Sequence, residues 1–302
     1  MRILVSAVVH HDELCDSFAA EGPAEVVALA PAYIDTGEYG VERPDPAGKW
    51  DHRLVALPVM PTRPYPYSLY RGGVARLLRD FRPDILLCIG EPSELGVAQV
   101  VRLTRRASPD TRVVLICLEN VQRNWAGFPK MLRGRAERAT LARTDMVAAT
   151  SQSAKRLLVS QQFPEERIRV IYPGFDGTPF VPQDAAALRA RLGWTDQFVV
   201  GFVGRLVPEK GLDLLLEALV HLPDDVTAAI AGDGWLEPEL REQAQRLGVA
   251  DRVTWVGRLG RSRIVQYMSA FDALVLPSRG LPVWQEQFGR VLAEAMLCGT
   301  PV

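Results

Sequence analysis

The sequence has 302 residues, 48% of them hydrophobic and 24% charged, and its formal net charge is −1. A chain of this length usually exceeds what one hydrophobic core serves, so two domains of ordinary size are expected, with ample apolar residues for buried sheets. The near balance of acidic and basic residues excludes a global field that would attract nucleic acid, and any basic site must be local.

The cysteines and the beginning of the chain indicate the compartment. Cys15, Cys88, Cys117 and Cys298 are scattered, form no CxxC pair, and in three cases lie in apolar runs typical of buried thiols. Met1 leads directly into an apolar run without a cationic leader, and no apolar stretch reaches the roughly 18 residues that span a bilayer. We expect a cytoplasmic protein, either free or peripheral at the inner face of the membrane.

In the first half of the chain, short Val-, Ile- and Leu-rich runs alternate with segments of helical period. This alternation is typical of parallel sheets that are covered on both faces. The predicted strands are 2–9, 24–30, 54–60, 84–89, 112–118, 145–149 and 167–171. Helices are predicted over 68–81 and 132–143.

A segment rich in proline and glycine, 172–184, has neither period and marks a domain boundary. We predict domains over 1–175 and 176–302. In the second domain, strands are predicted over 198–203, 226–231, 253–256 and 273–276, with helices over 212–219, 238–247, 263–270 and 289–298. Two doubly wound α/β units in tandem follow, and ligands of such units bind beyond the carboxyl ends of the strands.

The loop after the first strand of the second domain reads GRLVPEKG, from Gly204 to Gly211. Gly204 lets the backbone approach a ligand, the following helix start favours negative charge, and Arg205 and Lys210 add two cations. Phosphate is the ligand that would use all of these features. The alternative is an ordinary strand-to-helix turn with two solvated cations.

The stretch 285–296 combines two carboxylates with the start of a predicted helix. Helical spacing begins near Phe288, which places Glu286 in the preceding loop and Glu294 about two turns inside the helix. Solvated carboxylates are the alternative for both. Because Glu294 is flanked by apolar residues, an unpaired charge there would be costly, and hydroxyl groups are suitable partners.

These segments resemble the family 4 glycosyltransferases, which are retaining enzymes with the GT-B fold of two Rossmann-like domains. The resemblance rests on GRLVPEKG after a strand, the turn Gly232-Asp233-Gly234 after the next, the E-x7-E pattern within EQFGRVLAEAMLCGTPV, and VIYPGFD at the boundary. It implies an N-terminal acceptor-side domain and a C-terminal domain that binds a nucleotide-sugar donor. It also implies that the last strand and the C-terminal helices are missing after Val302, so that this chain transfers sugar poorly.

The resemblance also implies roles for individual residues. Arg205 and Lys210, beside Gly204, would hold the donor diphosphate and balance the charge of the leaving group. Glu286 would contact the donor sugar, and these three side chains are the predicted catalytic set. No metal or other cofactor is implied, because the cations and a helix start supply the positive potential.

At the beginning of the predicted helix, the backbone N–H groups of Phe288 and Gly289 would meet the donor phosphates. Glu294 would accept hydrogen bonds from the ribose hydroxyls, as a carboxylate does from a vicinal diol.

The first domain departs from the family pattern. Its first loop contains His10 and His11 in place of the usual glycines, and Leu118-Glu119-Asn120-Val121 occupies the place of a histidine often found there. Two surface histidines are the favoured interpretation of His10 and His11. The acceptor, a glycan or a lipid-linked glycan, is not specified by these residues.

The stretch 123–143 carries six basic residues, Arg123, Lys130, Arg133, Arg135, Arg138 and Arg143, interleaved with apolar ones such as Trp125. A basic amphipathic surface of this kind could lie on an anionic membrane. A solvated helix over a sheet is the alternative. For the whole chain, the rival functions are another GT-B activity, such as a sugar-nucleotide epimerase, and a non-catalytic remnant that binds nucleotide sugars.

Overall fold

The computed structural model describes residues 1–7, 15, 23–35, 41–44, 52–61, 65–121, 127–282 and 284–302. The chain divides into two compact units, Met1–Tyr172 and Pro173–Val302. The division falls at the beginning of the proline-rich segment 172–184. His10, His11, Arg123 and Trp125 lie outside the described residues.

The described residues of the N-terminal unit form a seven-stranded parallel sheet. Its strands are β1 Arg2–Ala7, β2 Glu25–Pro31, β5 Arg53–Leu57, β8 Ile85–Ile89, β9 Arg112–Cys117, β10 Met146–Ala149 and β11 Ile168–Val170. Their order in the sheet is β11-β10-β9-β8-β1-β2-β5. Two short antiparallel pairs accompany it, β3 Ile34–Asp35 with β4 Val41–Glu42 and β6 Val59–Met60 with β7 Leu69–Tyr70.

Both faces of this sheet are covered. Along β1, Leu4 belongs to one buried cluster, whereas Ile3 and Val5 belong to another, as expected when successive side chains point to opposite faces. The described helices of the unit are α1 Val74–Phe81, α2 Leu95–Ala107, α3 Gly127–Leu141 and α4 Gln152–Ser160. A chain with this alternation of buried strands and amphipathic helices forms a doubly wound layer structure.

The described residues of the C-terminal unit form a four-stranded parallel sheet. Its strands are β12 Phe198–Val203, β13 Val226–Ala231, β14 Val253–Gly257 and β15 Ala273–Leu274. Their order in the sheet is β14-β13-β12-β15. Its helices are α5 Ala186–Leu192, α6 Leu212–Leu219, α7 Glu237–Arg246, α8 Arg261–Ala270 and α9 Arg290–Leu297. The backbone N–H of Leu274 donates to the carbonyl of Pro301 at 2.8 Å, so the last described residues lie beside β15.

Close packing fixes the C-terminal sheet against its helices. Trp194 and Phe271 are buried on one face, and Phe202 and Leu216 on the other. Gly201 lies in the middle of β12, where a Cβ atom would stand 2.0 Å from the ring of Phe271. The absence of a side chain there lets the aromatic cluster reach the sheet.

The strands of the two parallel sheets appear where they were expected, but the short strands β3, β4 and β7 and the helices α2, α4 and α5 were not predicted. Helix α1 begins at Val74, later than the predicted 68, and β7 occupies part of that range; α3 begins at Gly127, earlier than the predicted 132. Helix α9 begins at Arg290, slightly later than the predicted 289. Within the described ranges, no helix combines the length and the apolar character that crossing a bilayer requires.

Candidate functional site

The loops after β12 and β13 touch each other through their backbones. A Cβ atom at Gly232 would stand 1.8 Å from the carbonyl oxygen of Gly204, and one at Gly234 would stand 2.2 Å from that of Leu206. The N–H of Leu206 donates to the carbonyl of Asp233 at 2.8 Å. Both glycines are therefore required by close approach, and the two loops form one wall at the carboxyl edge of the sheet.

The loop after β15 joins this wall from the other side of β12. Gly211 has a φ of +64°, and a Cβ atom on it would stand 2.1 Å from the carbonyl oxygen of Pro277. The N–H of Arg279 donates to the carbonyl of Glu209 at 2.9 Å, and the guanidinium of Arg279 pairs with Asp213. The segments 204–213 and 277–289 are thereby held together.

At this junction the structure brings together two of the predicted site residues. Lys210 Nζ lies 2.6 Å from Glu286 Oε2, and the hydroxyl of Ser278 donates to the same oxygen at 3.1 Å. The Lys210 ammonium also lies over the indole of Trp284, 5.1 Å from the ring centroid. The Lys210 side chain is only 16% exposed, so the contacts form in a partly desolvated place.

The carboxyl group of Glu286 is ionised at neutral pH. Burial acts to raise its pKa, but the hydrogen bond and charge of Lys210, the Ser278 hydroxyl and the backbone N–H of Gly289 outweigh burial and lower the pKa. Such a carboxylate is an acceptor of hydrogen bonds from hydroxyl groups. The N–H of Gly289, expected from the resemblance to meet phosphate, here donates to Glu286.

Arg205 lies at the beginning of the same loop. Its guanidinium is 3.8 Å from the carboxylate of Glu209, and 46% of the Arg205 side chain is exposed. A pair of this length and exposure holds a side chain weakly, because water screens its charges. Arg205 thus presents a cation to solvent at the beginning of this loop.

Glu294 has a partner within the protein. Its Oε1 accepts from Arg290 Nε at 2.9 Å, one turn earlier on α9, and the Glu294 side chain is 12% exposed. The sequence led us to expect about two turns between the beginning of the helix and Glu294. Because α9 begins at Arg290, the separation is about one turn, and the residues from Glu286 to Gly289 are not helical.

Gly289 ends the loop in the left-handed region, with a φ of +66°, and caps the N-terminus of α9. Phe288, beside it, is exposed. The structure therefore places both residues of the predicted phosphate-binding turn at a helix N-terminus, where anions are favoured. Their contact with phosphate stays a prediction.

Sequence reasoning missed Ser278, Trp284 and the Arg279–Asp213 pair. All of these lie in 277–289 or on α6. Ser278 contacts Glu286 within the loop after β15, whereas Trp284 reaches Lys210 in the loop after β12 and Arg279 reaches Asp213 on α6. Their sequence positions carried one usable signal, since a polar and aromatic loop that follows a buried strand commonly lines a site.

The N-terminal unit has a second group of carboxylates at the carboxyl ends of β8 and β9. Glu91 Oε1 accepts from the backbone N–H groups of Leu118 and Glu119, each at 2.8 Å. Burial raises the pKa of Glu91 to about 8, and the carboxylates of Glu119 and Glu94 add to the effect, against the two backbone hydrogen bonds. Through these two hydrogen bonds, Glu91 fixes the backbone of the loop that occupies the place of the family's histidine.

The described basic residues of the stretch 123–143 do not all lie on an exposed surface. Arg133 is buried, donates to Ser93 Oγ at 2.7 Å, and lies 5.9 Å from the ring centroid of Tyr67. The expectation that all the basic residues share an exposed face is therefore wrong for Arg133. Its exposed members in the described part of the stretch are Lys130, Arg135, Arg138 and Arg143.

Instead, five arginines from α2, from α3 and from the residues just after α3 line a groove of about 940 Å³ between the two helices. They are Arg102, Arg105, Arg106, Arg135 and Arg143, above apolar side chains such as Leu95, Leu103 and Leu132. Arg105 is bound to Asp145 at 2.6 Å and to the carbonyl of Arg143, which makes it structural. Aspartate and glutamate are not among the described residues that line the groove.

Within the described part of the chain, His, Cys, Asp and Glu side chains form no group of three or more that could hold a metal ion. The expectation that no metal is needed stays a prediction. The thiols of Cys15, Cys88, Cys117 and Cys298 are buried, and they form no disulfide bond with one another.

Two family models match successive parts of the chain. The model described as Glycosyltransferase Family 4 matches residues 7–178, and the one described as Glycosyl transferases group 1 matches residues 184–302. Residues 179–183, between the two matches, fall inside the proline-rich segment.

Among curated proteins, the D-inositol 3-phosphate glycosyltransferase of Mycobacteroides abscessus is 38% identical over 177 residues. The match covers 57% of this chain and 39% of that protein, so the chain spans less than half of its relative's length.

Among solved structures, Anabaena HepE in complex with UDP matches with a TM-score of 0.72 and 24% identity, over 100% of this chain and 80% of that one. The apo lipopolysaccharide outer core galactosyltransferase WaaB matches with a TM-score of 0.68 and 17% identity, over 100% and 79%. At these identities the likeness shows the fold, and it confirms the predicted α/β class with two Rossmann-like domains of the GT-B type.

Proposed function

This chain belongs to Glycosyltransferase Family 4, and from that membership we propose that it moves a sugar from a nucleoside-diphosphate sugar to an acceptor hydroxyl, with retention at the anomeric carbon. The observation that carries the proposal is the contact of Lys210 with Glu286 at 2.6 Å, between the loops that follow β12 and β15. A cation for a leaving diphosphate and a carboxylate for sugar hydroxyls stand side by side there.

In this proposal, Lys210 and Arg205 hold the donor diphosphate. Both lie in the loop that begins at Gly204, where the Arg205 side chain is 46% exposed and the Lys210 ammonium faces Glu286. As the bond between sugar and diphosphate breaks, negative charge grows on the leaving group. Fixed cations at that place stabilise the transition state more than the bound donor.

Glu286 accepts hydrogen bonds from the hydroxyls of the transferred sugar. Its lowered pKa keeps it ionised, and Ser278 and the Gly289 N–H fix its orientation. We do not propose it as a covalent nucleophile. Glu294 accepts from the ribose hydroxyls, and for this the carboxylate must turn from Arg290, whose side chain is largely exposed and easily displaced.

We propose UDP as the first nucleotide to test, because the structure of HepE, which has the same fold, contains UDP. Thermal shift against UDP, GDP and ADP and their glucose conjugates identifies the donor. Stabilisation by about 2.7 kcal/mol is expected at 100 times the Kd. Transfer of label from the selected sugar nucleotide to glycan or lipid-linked glycan acceptors then tests the reaction.

The rivals give different results in these experiments. A sugar-nucleotide epimerase would convert the donor sugar without any acceptor, whereas a non-catalytic remnant would bind the nucleotide and leave the sugar in place. Absence of binding by every nucleotide in the panel would contradict the proposed function.

For the N-terminal unit we propose contact with the anionic inner face of a membrane, where a lipid-linked acceptor would be found. The groove between α2 and α3 supports it, because exposed arginines stand there above apolar side chains and can meet lipid phosphates. Co-sedimentation with vesicles of anionic and of neutral lipid tests it. The double variant Arg102→Ser, Arg106→Ser should lose the binding to anionic vesicles.

The matched control is Arg76→Ser, Arg79→Ser, on α1 of the same unit, which removes the same charge outside the groove. Equal losses in the two double variants, or equal binding to neutral vesicles, would contradict a specific role for the groove.

A further inference from the structure

Trp284 is fixed at its backbone and faces Lys210 with its side chain. The N–H of Leu281 donates to the carbonyl of Trp284 at 2.7 Å, and the N–H of Trp284 donates to the carbonyl of Leu281 at 3.2 Å. This reciprocal pair lies between β15 and α9. The Lys210 ammonium stands 5.1 Å from the centroid of the indole.

A lysine side chain has several rotatable bonds, so an ammonium with one ionic partner is easily released into solvent. Here a second contact, of a different kind, holds it. The face of an indole attracts a cation electrostatically, and the attraction grows when water is excluded. Lys210 is only 16% exposed and therefore fulfils that condition.

The two contacts of Lys210 differ in what an entering donor does to them. Diphosphate oxygens compete with Glu286 for the ammonium, because all of them are anionic acceptors. They do not compete with an indole, which attracts the cation through its ring face. The cation–aromatic contact can therefore persist after the ion pair is exchanged.

We propose that Trp284 is a positioning residue, which keeps the ammonium of Lys210 in the site while its ionic partner changes from Glu286 to the donor diphosphate. The exchange leaves the Glu286 carboxylate available to the sugar hydroxyls. Only the exchange of Glu286 for the donor diphosphate rests on the proposed function. The contact between Trp284 and Lys210 is tested without any donor.

The donor-free test is amine labelling of Lys210 by acetic anhydride, followed by mass spectrometry. The lysines of the chain are Lys49, Lys130, Lys155 and Lys210, so each labelled peptide is readily assigned. Lys155 is the internal control, because it pairs with Glu165 at 2.8 Å and is also mostly shielded.

Trp284→Leu should increase the labelling rate of Lys210 and leave Lys155 unchanged, whereas Trp284→Phe, which keeps an aromatic face, should restore most of the protection. An unchanged Lys210 rate in Trp284→Leu would overturn the proposal. A rise at both lysines would also overturn it, since it would show general loosening of the fold.

The donor test is a double-mutant cycle in titration calorimetry with UDP. Trp284→Leu should weaken the affinity for UDP by about three- to tenfold, which is the change expected for loss of one cation–aromatic contact. In the Lys210→Met background the same substitution should have no further effect. An equal effect in both backgrounds would show that Trp284 contacts the nucleotide directly, which contradicts a role through Lys210.

The outcomes separate this proposal from the proposed function. Lack of UDP binding by the wild-type chain counts against the donor assignment, and the labelling experiment still decides whether Trp284 holds Lys210. Normal UDP binding with unchanged Lys210 labelling rejects the role of Trp284 and leaves the donor assignment intact.

Discussion

Lys210 and Glu286 are 76 positions apart, and the ammonium of one lies 2.6 Å from the carboxylate of the other. Each was expected to bind a different part of one donor. Because the two side chains are paired, removal of one leaves the charge of the other unpaired in a partly buried place. The substitution of Glu286 should therefore affect the nucleotide through Lys210 as well as the sugar directly.

We expect Glu286→Ala to leave the affinity for the free nucleoside diphosphate unchanged or slightly tighter, because Lys210 is released to the phosphates. Turnover should fall strongly, because the hydroxyls of the transferred sugar lose the carboxylate that accepts their hydrogen bonds. Calorimetry with nucleotide and sugar nucleotide, beside a transfer assay, measures both. The assignment of Glu286 to the sugar is wrong if Glu286→Ala weakens the binding of the free nucleoside diphosphate as much as Glu294→Ala does.

We expect Glu294→Ala to weaken the binding of the nucleotide and of the sugar nucleotide alike. Each binding free energy should be less favourable by about 1.5–3 kcal/mol, as for the loss of a charged hydrogen bond. The control is Arg290→Ala, which removes the other half of the same pair. Because Arg290 is 64% exposed, its loss should change affinity little. Comparable weakening by the two variants would instead assign the effect to the pair itself.

Gly211→Ala should destabilise the C-terminal unit by about 2–4 kcal/mol, since a Cβ atom there adds a clash with the Pro277 carbonyl to an unfavourable backbone conformation. Gly193→Ala is the matched control, with a φ of +73° and open space around the added atom. The Gly193→Ala variant should lose only about 1–2 kcal/mol of unfolding free energy. Urea unfolding of both variants measures the difference, and equal losses would show that the contact with Pro277 is unimportant.

Glu91 should make stability depend on pH. Its folded pKa, about 8, lies above the unfolded value, so the folded chain keeps a proton that the unfolded chain releases. The stabilisation is complete below the unfolded pKa, near 4.3, and is lost as the pH rises from there to about 8. Glu91→Gln keeps an oxygen that can accept from Leu118 and Glu119 but has no proton to lose.

Unfolding free energies between pH 5 and 8.5 test this. The wild-type chain should lose stability across that range relative to Glu91→Gln, and the two curves should run parallel above about pH 8.5. Parallel curves over the whole range would mean that Glu91 is already ionised at pH 5.

The strands could be predicted from the sequence because their side chains are apolar on both faces, which produces short runs bounded by turns. Helix α2 was missed for a physical reason. Its buried stripe is Val97, Val100, Val101 and Thr104, all β-branched, so local preference opposes the conformation that burial stabilises.

The site residues could be named from GRLVPEKG and the E-x7-E pattern, but their contacts could not. Lys210 meets Glu286 because β15 lies beside β12 in the sheet, although β13 and β14 separate the two strands in sequence. Strand order is a tertiary property, and the partners Ser278 and Trp284 become visible only once it is known. The interior location of Arg133 likewise depends on Ser93, a residue of another segment.

The backbone contact of Gly232 with Gly204 has a consequence for binding entropy. With so little space between them, the loops after β12 and β13 cannot change shape independently, and this wall of the site has much the same form before a ligand arrives as afterwards. A donor that settles against it then orders few additional backbone torsions, so more of the attraction between anion and protein remains as affinity.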